Sequence, residues 1–166
     1  MFFLLDANVL IDANRDYYPI ERVPEFWGWL VHLGEQGDVK IPLEVYEEIK
    51  DGNDSLAVWS KDTAVKAALL LDEEADVDLV SKAINEGYAP DLTDDEVEKI
   101  GRDPFLVAYG LADLGQRCVV TTEVSKPARN RANRHLPDVC AGFDVPCCDT
   151  FQFVRELDFS TSWRPR

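Results

Sequence analysis

Histidine is nearly missing from this chain. His32 and His135 are the only two, and they lie far apart in sequence. A hydrolase built on a histidine base therefore has little support. No Gly-x-Ser-x-Gly elbow and no glycine-rich phosphate loop occurs, which argues against an α/β-hydrolase nucleophile and against a P-loop nucleotide site. The four cysteines, Cys118, Cys140, Cys147 and Cys148, show none of the paired spacings of a zinc finger. Cys147 and Cys148 are adjacent, so on a strand they point to opposite faces and make poor disulfide partners. All four read as reduced, mostly buried thiols, the usage expected of a cytoplasmic protein. No apolar run approaches the ~20 residues of a membrane-spanning helix. The opening Met-Phe-Phe-Leu-Leu is too short for a signal peptide and lacks its basic flank. No internal repeat, low-complexity tract or linker is visible.

Positive charge is also scarce. Lys and Arg number 17 against 32 Asp and Glu, for a net charge of −15. That excludes nucleic-acid binding by bulk charge. It leaves open a local contact bridged by a metal ion. One stretch reverses the bias: residues 126–135 (KPARNRANRH) hold Lys126, Arg129, Arg131 and Arg134 and no acid.

What is present is enough for one domain. The 166 residues are 46% hydrophobic, which supplies a sizeable core. Met1–Leu5, Val39–Ile41, Arg117–Thr121 and Val145–Cys148 read as strands. Helices are expected from Pro24 to about Gln36, over Leu43–Lys50 and Ser55–Ser60, from Pro104 to Leu114, over Leu136–Phe143 and over Thr150–Leu157. Thr93-Asp94-Asp95-Glu96 has the form of a capping box and starts a short helix. The acidic middle, Thr63 to Pro90, is expected to be helical. Strands alternating with helices imply an α/β fold with a parallel sheet and helices on both faces. The domain is expected over residues 1–157, with an irregular tail at 158–166.

Acids recur at the ends of these elements. Asp6 follows the first strand, Glu48 lies on the helix after Val39–Ile41, Asp103 sits at a helix start, and Glu123 follows the strand ending in Thr121. Carboxylates so placed converge readily in an open α/β sheet, because ligands bind outside the carboxyl ends of its strands. Crowded carboxylates raise one another's pKa unless a counter-charge is supplied. A hard divalent cation such as Mg²⁺ or Mn²⁺ takes oxygen ligands and fits that need.

The four patches resemble a PIN domain, the fold of VapC-type toxin ribonucleases. The resemblance is carried by Leu5-Asp6-Ala7-Asn8, by Glu48-Ile49-Lys50-Asp51-Gly52, by Asp103 with Ala108, and by Val120-Thr121-Thr122-Glu123. It covers roughly Met1 to Leu157. The chain is also similar to a PIN-like subfamily with Tyr17-Tyr18-Pro19, Phe26-Trp27-Gly28-Trp29 and Pro137-Asp138-Val139-Cys140. The last acid departs from the pattern: Glu123 stands where PIN domains more often have Asp.

The resemblance implies a central parallel sheet of four or five strands, with Asp6, Glu48, Asp103 and Glu123 as catalytic, metal-holding residues for Mg²⁺ or Mn²⁺. It implies an endoribonuclease, the toxin of a prokaryotic type II toxin–antitoxin pair. Its partners would be an RNA substrate, a cognate antitoxin with or without a helix-turn-helix domain, and a second copy in a homodimer, with no membrane. Local readings compete with these roles. Asp6 is also placed to cap the turn after its strand, and Asp103-Pro104 reads equally as N-cap followed by first helical residue. Helix geometry puts Glu44, one turn earlier, on the same side as Glu48 and turns Glu47 toward solvent, and the resemblance implies Glu48, with Glu44 as the alternative. Asn8, Thr121 and Thr122 are expected to support the acids. Lys126, Arg129, Arg131 and Arg134 are expected to hold phosphates or to dock an antitoxin. Asp113, Asp138 and Asp149 are taken as structural. Tyr17, Tyr18, Phe26, Trp27 and Trp29 are read as core rather than as base-stacking residues. Two other functions compete: a catalytically inactive PIN-fold binding or scaffold module, supported by the acidic charge and by Glu123, and a DNA nuclease, for whose extra helical elements the chain has little room.

Overall fold

Phe2–Leu5 forms β1, and three of its four residues are buried. A strand apolar on both faces belongs in the middle of a parallel sheet, and β1 lies there. It pairs in parallel with β2 (Val39–Lys40) on one side and with β3 (Arg117–Val120) on the other. β3 in turn pairs in parallel with β4 (Cys147–Cys148). The four-stranded sheet thus runs β2-β1-β3-β4 and is parallel throughout, the lower of the two expected strand counts. An isolated parallel bridge from Ile41 to Leu70 extends it beside β2. The computed structural model describes residues 1–164.

Ten α-helices flank the sheet among the described residues. α1 (Ala7–Asp12) follows β1, and α2 (Pro24–Gln36) leads to β2. α2 starts with Pro24 in its first turn and ends at Gly37, whose φ of 85° suits glycine. α3 (Leu43–Lys50), α4 (Ser55–Ser60) and α5 (Thr63–Leu69) come next. The acidic middle is only partly helical. Residues 71–76 form neither helix nor strand and lead into α6 (Val77–Lys82), which continues as a π-helical turn over Ala83–Tyr88. α7 (Asp94–Ile100) opens on the Thr93–Glu96 capping box. α8 (Asp103–Ala112), α9 (Leu136–Gly142) and α10 (Thr150–Glu156) complete the set.

The first aromatic segment is core. Phe26, Trp27 and Trp29 are buried, and Tyr18 stacks on Phe26 with centroids 4.4 Å apart. Trp27 Nε1 donates to the Tyr18 carbonyl at 2.6 Å, so the indole buries its only polar atom satisfied. Tyr17 is the exception: it is exposed and meets Phe151 edge-on at 5.3 Å. Among the described residues the tail after α10 has no helix or strand, as expected, yet it packs as part of the domain. Phe159 lies 4.8 Å from the Trp29 ring, and Trp163 Nε1 donates to the Glu25 carbonyl at 2.8 Å. The boundary expected at residue 157 therefore falls short of the packed chain. The last two residues of the expected tail, 165 and 166, lie outside the described residues.

The four thiols are free. Val119 and Val120 face Cys147 and Cys148 across the ladder, so the adjacent cysteines fall on opposite faces of the sheet.

Candidate functional site

The strand order changes direction at β1, which takes β2 on one side and β3 on the other. Such a switch point opens a crevice outside the strand carboxyl ends. Asp6 occupies it directly after β1, and its backbone N–H donates to the Val120 carbonyl at the end of β3, 3.0 Å away. The Asp6 side chain is 5% exposed. It caps nothing on α1, which removes the turn-capping role that its position allowed. Thr121 Oγ1 donates to Asp6 Oδ2 at 2.9 Å. Burial pushes the Asp6 carboxyl up to about 6, against the pull of the Thr121 hydrogen bond, and the charges of Glu123 and Glu48 add to the rise.

Asp103 reaches the crevice because α8 feeds β3. A crossover helix runs back against its strands, so its N-terminus lies at their carboxyl end. The expected N-cap role is not found. Arg102 is the N-cap, Asp103 is the first helical residue, and no side chain caps the end. Pro104 is tolerated one place further in because the first N–H groups of a helix have no intrahelical partner. The half-buried Asp103 side chain has no hydrogen-bond partner among the described residues. Burial pushes its carboxyl up to about 8, and Asp6, Glu123 and Glu48 all raise it further. The four expected acids therefore face one another electrostatically.

The choice on α3 falls on Glu48. It is exposed, and its charge is felt at both Asp6 and Asp103. Glu44 points elsewhere. Its Oε1 accepts from Tyr109 Oη at 3.4 Å, and its Oε2 is buried without a partner. Glu47 is half-exposed beside Arg102, 3.6 Å from its Nη1.

Glu123 does two things. It lies near Asp6 and Asp103, and its Oε2 accepts the Leu136 backbone N–H at 2.7 Å. Leu136 opens α9, so the carboxylate neutralises an orphan donor and the positive end of that helix. Thr121 Oγ1 also accepts the Glu123 N–H at 3.2 Å, so one hydroxyl ties two of the acids together. Thr122 lines a neighbouring surface cleft with Asp149 and Gln152 and does not touch Asp6. Asn8 is exposed and makes no hydrogen bond to Asp6. The supporting role expected of Asn8 is thus filled by Thr121 alone.

Above the acids lies a cleft of about 270 Å³, lined by Asp103, Glu123, Tyr88, Lys99, Asn133 and the basic loop residues Arg129, Arg134 and His135. Only part of the expected basic set turns toward it. Arg131 is held by Glu96 (Nε–Oε1 2.9 Å) and Asp91 (Nη1–Oδ1 2.8 Å). An arginine so engaged anchors the loop and has fewer donors free for a phosphate. Arg134 lines the cleft while donating to the Gly87 and Asp138 carbonyls. Lys126 is exposed outside the cleft, and its backbone N–H donates to Asp138 Oδ2 at 2.7 Å. Arg129 carries no ion pair among the described residues. Asp138 and Asp149 do local work, the first on Ser125 and Lys126, the second as the capping box of α10.

Sequence reasoning missed Lys99, Tyr88 and Asn133. Lys99 donates to Asn133 Oδ1 across the cleft. Nothing in the local pattern marked them. Tyr88 falls in the middle segment whose path was open, and Lys99 reads as one charge on an amphipathic helix.

Four carboxylates are an all-oxygen donor set of the kind hard divalent ions take. As placed, no three Asp, Glu, His or Cys side chains among the described residues stand close enough together to hold an ion. The chemistry of the set fits Mg²⁺ or Mn²⁺, and binding requires the side chains to close up. In comparisons with known proteins, a family described as "Domain of unknown function (DUF4411)" matches residues 3–161. No curated protein and no solved structure matches the chain.

Proposed function

The chain belongs to the DUF4411 family, and from its site we propose that it is a PIN-like, metal-dependent endoribonuclease. One observation carries the reading. Asp6, Glu48, Asp103 and Glu123, from four separate parts of the sequence, lie near enough to the switch point of a parallel sheet for their charges to raise the carboxyls of Asp6 and Asp103. Holding carboxylates near like charges at a partly buried site is unfavourable, and a bound cation would relieve it. Asp6, Asp103 and Glu123 would hold Mg²⁺ or Mn²⁺, with Glu48 completing the set directly or through water. Such an ion supplies positive charge that polarises a phosphodiester and lowers the pKa of water.

The protein's own contribution is placement. Thr121 fixes Asp6, and the α9 N–H fixes Glu123. Lys99, Arg129 and Arg134 on the cleft wall attract the phosphates flanking the scissile bond. The PIN resemblance supplies the setting: the toxin of a prokaryotic type II pair, cytoplasmic, restrained by an antitoxin and paired with a second copy. No helix among the described residues is long and apolar enough to cross a membrane.

A second reading, a binding module without catalysis, is favoured by the structural work of Glu123 on α9 and of Arg131 on α7. Cleavage separates the two. Single-stranded RNA and DNA of the same sequence are incubated with the protein in Mn²⁺, in Mg²⁺ and in EDTA, beside Asp103→Asn. RNA cut only with the ion, and orders of magnitude more slowly by the variant, is the expected result. Preferred cutting of DNA moves the reading to a DNA nuclease. No cutting, with a melting temperature that millimolar Mn²⁺ leaves unmoved, replaces it with the binding module.

A further inference from the structure

Of the three acids at the crevice that burial restricts wholly or in part, Asp6, Asp103 and Glu123, two have a hydrogen-bond donor to fix them. Asp6 takes the Thr121 hydroxyl at 2.9 Å, and Glu123 takes the Leu136 N–H at 2.7 Å. Asp103 has none among the described residues. On the same cleft wall stands a hydroxyl with the converse deficit. Tyr88 is 7% exposed, and its buried Oη has no hydrogen-bond partner. Tyr88 and Asp103 both line the cleft. Of the charges around the Tyr88 hydroxyl, Asp103 presses on it most, ahead of Cys140 and Glu123. A buried hydroxyl left unmade is unfavourable by about 1–3 kcal/mol, so an orphan of this kind calls for a role. The ring position is set from below: Gly87 packs so closely on α9 that a Cβ there would lie 2.8 Å from Val139 Cγ1, and Arg134 ties the Gly87 carbonyl.

We propose that Tyr88 is the positioning residue for Asp103, its hydroxyl donating to the Asp103 carboxylate when a divalent cation draws the acids together. The inference rests on the metal-site reading above. It extends that site to a residue outside the four acids, in the segment between α6 and α7. The role matches that of Thr121 toward Asp6. Partners that orient a ligand in this way commonly matter by about 10- to 100-fold in metal affinity.

Tyr88→Phe removes the hydroxyl and keeps the ring. Its metal-free melting temperature, measured first, should equal or exceed that of the wild type, because a buried unsatisfied hydroxyl is gone. Mn²⁺ affinity is then measured by calorimetry for the wild type, Tyr88→Phe, Asp103→Asn and the double variant. Tyr88→Phe should bind Mn²⁺ about ten-fold more weakly, within the range such partners show. In the Asp103→Asn background the same change should have little further effect, since the residue it positions no longer carries the charge. Equal Mn²⁺ affinity of wild type and Tyr88→Phe, or an equal loss in both backgrounds, overturns the proposal and leaves the metal site standing. A wild type that binds no Mn²⁺ overturns the metal site, and the Tyr88 role falls with it.

Discussion

At the scale of single residues, Asp103 and Asp6 dominate the electrostatics. Both carboxyls are held above the usual carboxylate range, at about 8 and about 6, chiefly by burial. In the unfolded chain both titrate near pH 4. Between those values the folded state binds more protons than the unfolded one, so stability falls as pH rises. The metal-free protein should therefore lose melting temperature steadily from about pH 4 to pH 8. Asp103→Asn should flatten the upper half of that decline. Saturating Mn²⁺ should reverse the decline, because deprotonation then favours binding. Melting curves over that range, with and without the ion, check both points. A metal-free profile that climbs toward pH 8 would mean that these carboxyls are not strained in solution.

Among the elements, the close approach of α2 to α5 holds the β2 side of the sheet in place. Gly34 lets the two helices touch: a Cβ there would sit 2.7 Å from the Ala68 carbonyl oxygen and 2.7 Å from Leu69 Cδ2. The carbonyl is backbone and has little freedom to yield. Lys40 Nζ crosses the same contact, donating to the Gly34 and Ala68 carbonyls at 3.0 and 2.7 Å. Gly34→Ala should destabilise the protein by about 1–3 kcal/mol through overpacking, read by urea unfolding. Gly37→Asn is the comparison, since that position has open space, and its left-handed backbone tolerates Asn better than other residues. It should be nearly neutral. Similar losses for both would show that the helix contact is not what Gly34 provides. Glu123 shows an element and a site sharing one side chain, and it fits the departure from Asp at that position. The longer arm spans from the end of β3 to the first N–H of α9 while its charge stays at the crevice.

Over the whole molecule, a net charge of −15 means that an RNA substrate, as proposed, would approach a repelling body. Attraction has to be local, and the structure separates arginines that can supply it from those already engaged. Arg129→Gln should weaken binding of single-stranded RNA and reduce the slope of log K against log salt by about 0.7 for one lost phosphate contact. Arg131→Gln should leave that slope alone and instead lower the melting temperature slightly, because its partners are Glu96 and Asp91. Fluorescence anisotropy at several salt concentrations, in Ca²⁺ to hold the strand uncut, distinguishes the two. Equal slopes for Arg129→Gln and wild type would remove the basic loop from the RNA path.

The amino-acid sequence alone indicated most of the elements and their order, the acidic middle excepted. Apolar runs bounded by acids marked the strands, Pro24 marked the start of α2, and Thr93 with Glu96 marked α7, because these are local effects of period and capping. The parallel sheet follows from the alternation of strands and helices. The identity of Asp6, Glu48, Asp103 and Glu123 came from the family resemblance, and their convergence from the rule for strand carboxyl ends. Tertiary structure decided the rest. It left Glu48 exposed near the acids and packed Glu44, one turn earlier on the same helix, against Tyr109. It took Arg131 out of the cleft by bringing Glu96 to it from 35 residues away, and it set the lone Tyr88 hydroxyl on the cleft wall with Asp103. Each of those outcomes depends on contacts between distant segments, and such contacts leave no periodic trace in the residues that make them.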